Sequence, residues 1–239
     1  MKLYDAVIRE TEELLSSRDA RRYPYDPAKA WPETQNSELV LLRDAAYELG
    51  GSGLPAVCCT CVTTDPALVP DDSVELFGPE LCELSGDAPY ARLVFLRVEE
   101  MGDDDAAYRA IRELEFVKYN VFPEGFMIRT SPENHREQVR VSRAALASGL
   151  SLERVGDAFL RRYKDNPLVK AARVVFVTEP NDGFAVMREN AVRTQKITSA
   201  LNHVLDDLNV DCRACNMKEI CDEVEGMRAL HLKKAAAKG

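Results

Sequence analysis

The sequence has no uninterrupted apolar run of about 18 residues, so no membrane-spanning helix is expected. Its first stretch, MKLYDAVIRETEELL, carries Asp5, Glu10, Glu12 and Glu13 and does not resemble a secretory leader. A cytoplasmic protein is the expectation. Glycine-rich phosphate loops of the GxGxxG and GxxxxGK[ST] types are missing, as are HExxH and GxSxG. The only histidines, His135, His203 and His231, are far apart in the chain. No internal repeat or low-complexity segment breaks it up. A net charge of -9 disfavours nucleic acid, which the average surface would repel.

What remains is an ordinary globular composition, 46% hydrophobic and 30% charged over 239 residues. A chain of this size buries a core without disulfides or metals. Asp5 and the acids after it alternate with Leu3, Val7, Leu14 and Leu15, which predicts an amphipathic helix over 2–16. Residues 17–33 are basic and proline-containing and read as an irregular connection. Arg18, Arg21 and Arg22 there are either solvated surface charge or forks for an anionic cofactor. A helix is predicted from Ser37 to Glu48, stopped by Gly50 and Gly51. Strands are predicted over 56–63, 74–76, 90–98, 126–129 and 172–178. Helices are predicted from about 103 to 118, 151 to 165 and 182 to 208, and residues 139–147 end helically. Strands alternate with helices from 56 to 208, so the expected fold is α/β. It is a layered sheet with flanking helices, an N-terminal helical segment and a cysteine-containing C-terminal tail. The expected division is 1–72, 73–208 and 209–239.

Seven cysteines stand in clusters: Cys58, Cys59, Cys61, Cys82, Cys212, Cys215 and Cys221. Without a leader sequence, such clustering points to metal ligation or redox chemistry before disulfides. Cys212, Cys215 and Cys221 form C-x2-C-x5-C. In a C-x2-C hook two thiolates face one centre while backbone N–H groups turn toward the sulfurs, which suits iron–sulfur clusters and zinc alike. Both normally take four ligands, and this segment supplies three. Cys59 and Cys61 are candidates for the fourth, sharing one face of a strand with Cys58 on the other. His203 and His231 are the nearest candidates that are not cysteine. A fourth position left open is the other arrangement. Cys58 and Cys82 suit the role of small buried hydrophobes.

Several stretches, in order, resemble one known family. They are VELFGP from Val74 to Pro79, YNVFPEGF from Tyr119 to Phe126 and VRVSR from Val139 to Arg143. Gly149, Gly156-Asp157, Tyr163-Lys164, Pro167 and the strand Ala172–Thr178 with its following helix continue the series. Together they are similar to the middle domain of the acetyl-CoA synthase (beta) subunit of the carbon monoxide dehydrogenase/acetyl-CoA synthase complex. In that family the long helix leads into a C-x2-C pair that begins a nickel–iron–sulfur site, which the resemblance matches to Cys212 and Cys215. The chain departs afterwards: Cys221 follows after five residues, and no Cys-Gly-Cys is present to hold a distal nickel.

The resemblance implies anaerobic one-carbon or acetyl-CoA metabolism and an iron–sulfur cluster, with zinc as the alternative metal. Carbon monoxide dehydrogenase, corrinoid protein or methyltransferase subunits are the implied partners. If the chain is catalytic, the implied reaction is acyl- or methyl-group transfer. CoA is then a candidate ligand, and Arg136, Arg140, Arg143 and Arg154 are candidates for its phosphates or for plain solvent-facing charge. The competing reading is a non-catalytic docking domain whose tail is clipped by structural zinc.

Overall fold

The computed structural model of the chain describes residues 2–51, 53–100, 104–131 and 135–205. The elements run α1 (Asp5–Leu15), β1 (Ala20–Pro24), β2 (Ala45–Leu49), β3 (Ala56–Thr63), β4 (Ser73–Phe77) and β5 (Tyr90–Val98). They continue with α2 (Asp104–Val117), β6 (Phe126–Ser131), β7 (Arg136–Ser142), α3 (Arg143–Ala147), α4 (Leu152–Lys164), β8 (Val169–Val177) and α5 (Phe184–Leu205). The α/β layering expected from the alternation is what forms.

Five strands make the larger sheet in the order β1-β4-β8-β5-β3. β4 runs parallel to β8 and β3 parallel to β5, while β1–β4 and β5–β8 are antiparallel. β3, β5 and β8 read as near-continuous apolar runs because helices cover the sheet on both sides. α1 and α5 lie against β3, and α4 lies against β8 and β4. The α4 seat is close: a Cβ on Gly156 would come within 2.5 Å of the Val74 side chain. Ser151 caps α4 by accepting from the Arg154 N–H, and the Glu80 carboxylate accepts from the N–H groups of Leu81 and Leu152.

A second, antiparallel sheet has the order β2-β7-β6. Alternation along β7 turns Glu137, Val139 and Val141 inward and Arg136, Gln138 and Arg140 outward. Glu137 is the polar exception on the inner face. Its carboxylate accepts from Arg92 of β5 twice, from Nε at 2.6 Å and from Nη2. Both side chains are buried, and the guanidinium stacks 4.2 Å above the Phe159 ring of α4. One ion pair therefore links the two sheets and the helix beneath them.

Two secondary-structure expectations fail. The predicted helix over 37–48 is extended chain, one 3₁₀ turn at Leu42–Asp44, and then β2. The period there is two: Ala45, Tyr47 and Leu49 are buried, with Ala46 and Glu48 between them. Gly50, at a φ of 64°, ends a strand there and not a helix. The predicted irregular connection contains β1, an exposed edge strand with Pro24 at its end, where a missing N–H costs no ladder bond.

Two measurements check this packing. Removing one member of a buried pair leaves an uncompensated charge, so Glu137→Gln should cost about 3–5 kcal/mol in denaturant unfolding. The double variant Arg92→Met with Glu137→Leu should recover most of that loss. Asp157, on the buried face of α4, has only the Asp26 N–H as a partner at 3.3 Å. Burial pushes its carboxyl up to about 6 from an ordinary 3.8, a rise that the Asp26 N–H only partly opposes. Between those values the folded chain holds a proton that the unfolded chain has lost, so this carboxyl lowers stability as pH rises. Solvent screens part of the penalty. Asp157→Asn should therefore leave stability unchanged near pH 4 and raise it by ~1–2 kcal/mol at pH 7, read from thermal melts across that range.

Candidate functional site

β3 carries the densest reactive chemistry among the described residues. It is the edge strand of the larger sheet, yet every residue in it is buried. β5 pairs one side of it, and on the other side the Cys58 N–H donates to the His135 carbonyl at 3.0 Å. His135 sits in a left-handed turn with a φ of 50°. Register places Cys58 beside Arg92 on the α4 face of the sheet. Alternation sends Cys59 and Cys61 to the α5 face, where Cys61 Sγ lies 3.5 Å from Thr194 Oγ1.

Cys58 and Cys59 are held in the thiol form. Burial, reinforced by the charge of Glu137, pushes Cys58 up to about 12. Cys59 is raised well above the usual thiol range, first by its hydrogen bond with Cys61 and then by burial. Lys118, buried nearby, is ion-paired to Glu115; desolvation opposes its ammonium, but the charge and hydrogen bond of Glu115 together with the neighbouring Cys58 and Tyr119 raise it above the usual range. The cleft between Cys58, Cys59, Lys118, His135 and Thr194 has a cavity volume of about 10 Å³. That is room for about one water, not for an organic substrate. A thiol is a metal ligand only as the thiolate, so a metal here would first have to displace protons from well-shielded groups.

No group of three or more histidine, cysteine, aspartate or glutamate side chains able to hold a metal occurs among the described residues. Cys59 and Cys61 provide two sulfurs on one face and do not by themselves fit a metal centre. Cys212, Cys215, Cys221 and His231 lie outside the described residues, as does the His203 side chain. Cys82, expected to be buried, is exposed. It falls in a 3₁₀ turn where Leu81 supplies the buried side chain.

The four arginines weighed as ligands for an anionic cofactor are all engaged with the protein itself. Arg136 donates to the carbonyls of Gly50 and Leu54 at 3.0 and 3.1 Å, pinning the turn that enters β3. Arg140 binds Glu48 and the Val40 carbonyl, and Arg143 donates to the Arg43 carbonyl at 3.0 Å. Arg154 donates to the carbonyls of Lys29 and Gly149 and lies 4.3 Å above the Trp31 ring. Arg18, Arg21 and Arg22 are likewise paired with carboxylates, on Glu179 and Asp182, Glu83, and Asp71 respectively.

A larger cleft of about 260 Å³ lies between the end of α1 and the sheet, floored by Phe77, Phe95 and Val175. Its charges pair across it: Arg173 meets Glu12, approaches Glu75 at 3.7 Å and lies over Phe95.

The structure assigns weight to Arg92, Glu137, Lys118 and Glu115, none of which sequence reasoning selected. A trace of two was present. Arg92 is a charge near the start of an apolar nine-residue strand, and Glu137 occupies an inward position of an alternating one.

Thiol accessibility can be measured directly. Under native conditions at pH 8, iodoacetamide should label Cys82 readily and leave Cys58, Cys59 and Cys61 unmodified until denaturant is added. Peptide mass mapping reads each site separately.

No match was found among curated proteins. A family model described as CO dehydrogenase/acetyl-CoA synthase complex beta subunit matches residues 33–182, more than half of the chain. The matched span begins just after Trp31 and takes in β2 to β8, including β3 and both partners of the buried ion pair. The chain belongs to the CO dehydrogenase/acetyl-CoA synthase complex beta subunit family.

Proposed function

We propose that the chain is an acetyl-CoA synthase-related protein of anaerobic one-carbon and acetyl-CoA metabolism. In this reading it carries a cysteine-ligated iron–sulfur cluster at Cys212, Cys215 and Cys221. The family match over 33–182 carries the reading, and the C-x2-C-x5-C spacing after α5 supports it. A cluster bound there would supply electron transfer or an open coordination position for a one-carbon or acyl group. The described residues add a rigid scaffold. β3 and α5 are locked together through Cys61 and Thr194, and α5 leads the chain toward the tail.

One observation favours a second reading, a docking subunit whose tail is closed by structural zinc. All four candidate cofactor arginines are spent on internal bonds, which suits a scaffold better than a phosphate site.

Anaerobic purification followed by iron, sulfide and zinc analysis separates the two. The first reading expects a brown protein with stoichiometric iron and labile sulfide, most of it lost in Cys212→Ser with Cys215→Ser. Zinc without iron would favour the docking reading. A colourless protein free of both metals would overturn the metal site altogether.

A further inference from the structure

Asp157 lies on the buried face of α4 and is sealed from solvent. Its Oδ1 accepts one long bond, from the Asp26 N–H at 3.3 Å, and its Oδ2 has no partner. A carboxylate at that depth ordinarily needs several donors. What covers it is the segment 24–34, which lies along α4 as a strap. The strap is firmly held at its far end. Trp31 donates its N–H to the Arg154 carbonyl at 2.9 Å and its indole Nε1–H to the Glu124 carbonyl at 2.8 Å. Glu33 takes Arg161 and Arg162 at 2.7 and 3.1 Å. At the near end the Tyr25 N–H donates to the Asp72 carbonyl at 3.2 Å.

Between those anchors the turn over Asp157 is lightly tied. It has the long Asp26–Asp157 bond, the Arg154 Nε–H on the Lys29 carbonyl at 3.1 Å, and an ion pair of Lys29 with Glu153 at 3.1 Å. The Lys29 side chain is exposed, so that pair contributes little. The charged and titratable groups facing Asp157 are Asp26, Lys29 and Tyr25 of the turn and Glu153 one turn back on α4. Arg161, one turn ahead, is engaged by Glu33. On the sheet side α4 meets the apolar Val74 at Gly156; Asp72, ahead of β4, faces Tyr25 as Asp165 does, and Tyr23 of β1 faces Glu153. Three carboxyl groups, Asp26, Glu153 and Asp157, thus share the single ammonium of Lys29, and ionising Asp157 adds a charge that nothing nearby balances.

We infer that the Tyr25–Ala30 turn is a pH-sensitive flap, closed on α4 while Asp157 carries its proton and lifted when that proton leaves. Lifting admits water, which supplies the donors that Oδ2 lacks. With the flap down, burial holds the carboxyl at about 6; with the flap raised, it returns toward an ordinary 3.8. The proton therefore favours the closed form. The ratio of open to closed forms is smallest below pH ~4, grows through the interval between the two values and levels off above pH ~6. The whole rise is at most about 100-fold. The flap is independent of any metal in the tail.

The chain supplies its own reporter, because Trp31, next to the flap, is its only tryptophan. Acrylamide quenching of its fluorescence should rise from pH 4 to pH 7 and then level off. Over the same range, amide hydrogen exchange at residues 25–31, corrected for intrinsic rates, should lose protection by up to ~100-fold while β5 and β8 keep theirs. Asp157→Asn, which cannot ionise, should hold the low-pH quenching and protection throughout. Glu153→Gln, at the neighbouring acid, should retain the pH dependence. A flat wild-type profile overturns the flap. An Asp157→Asn profile that follows the wild type overturns Asp157 as its trigger. Protection lost equally in β5 and β8 overturns it by assigning the change to the whole fold.

Discussion

A single guanidinium–carboxylate fork, Arg92 to Glu137, determines how the two sheets meet. Removing both charges from water is costly, and each would be untenable alone at that depth. The fork geometry offsets that cost by satisfying both carboxylate oxygens, and Phe159 supplies a polarisable face on the other side. The pair is directional in a way that apolar contact is not. It accepts only one placement of β7 against β5. The neighbouring chemistry inherits that placement, because Glu137 also sets the electrostatic surroundings of Cys58 and Tyr90.

The second consequence is the character of β3. An edge strand is ordinarily a template for further pairing. Here the His135 turn and β7 close over part of its free side, and α1 and α5 cover one face. Three thiols thus come to rest in a buried wall, where desolvation disfavours ionisation of Cys58 and Cys59. Their role in this part of the molecule is packing and a hydrogen bond to α5, which joins the sheet to the helix preceding the tail cysteines. The reactive capacity proposed for the protein lies along the chain beyond α5, and the folded body carries that helix.

The arginines follow a similar logic. A guanidinium offers five donors in a fixed fork, so it can bind phosphate or gather backbone carbonyls. Sequence alone cannot separate the two uses. In this fold Arg136 and Arg140 of β7 and Arg143 of α3 bind the carbonyls of Gly50, Leu54, Val40 and Arg43 on either side of β2, and Arg154 stacks on Trp31.

Much of this was legible in the residues. Apolar runs at 56–63, 90–98 and 172–178, short and rich in β-branched residues, pointed to buried strands, the last of which forms as Val169–Val177. Serine caps and proline stops determined α4, and ordered local stretches from Val74 onward determined the family. The segment at 37–48 reads as a helix from its Ser37-Glu38 start and its Gly50-Gly51 stop, whereas its buried set, Ala45, Tyr47 and Leu49, repeats every second residue. Only the tertiary structure decided which face was wet. It alone decided that Arg92 and Glu137, separated by more than forty residues, would share one buried site, and that the candidate arginines would close on carbonyls. Those outcomes depend on contacts between distant segments, and local spacing carries no information about them.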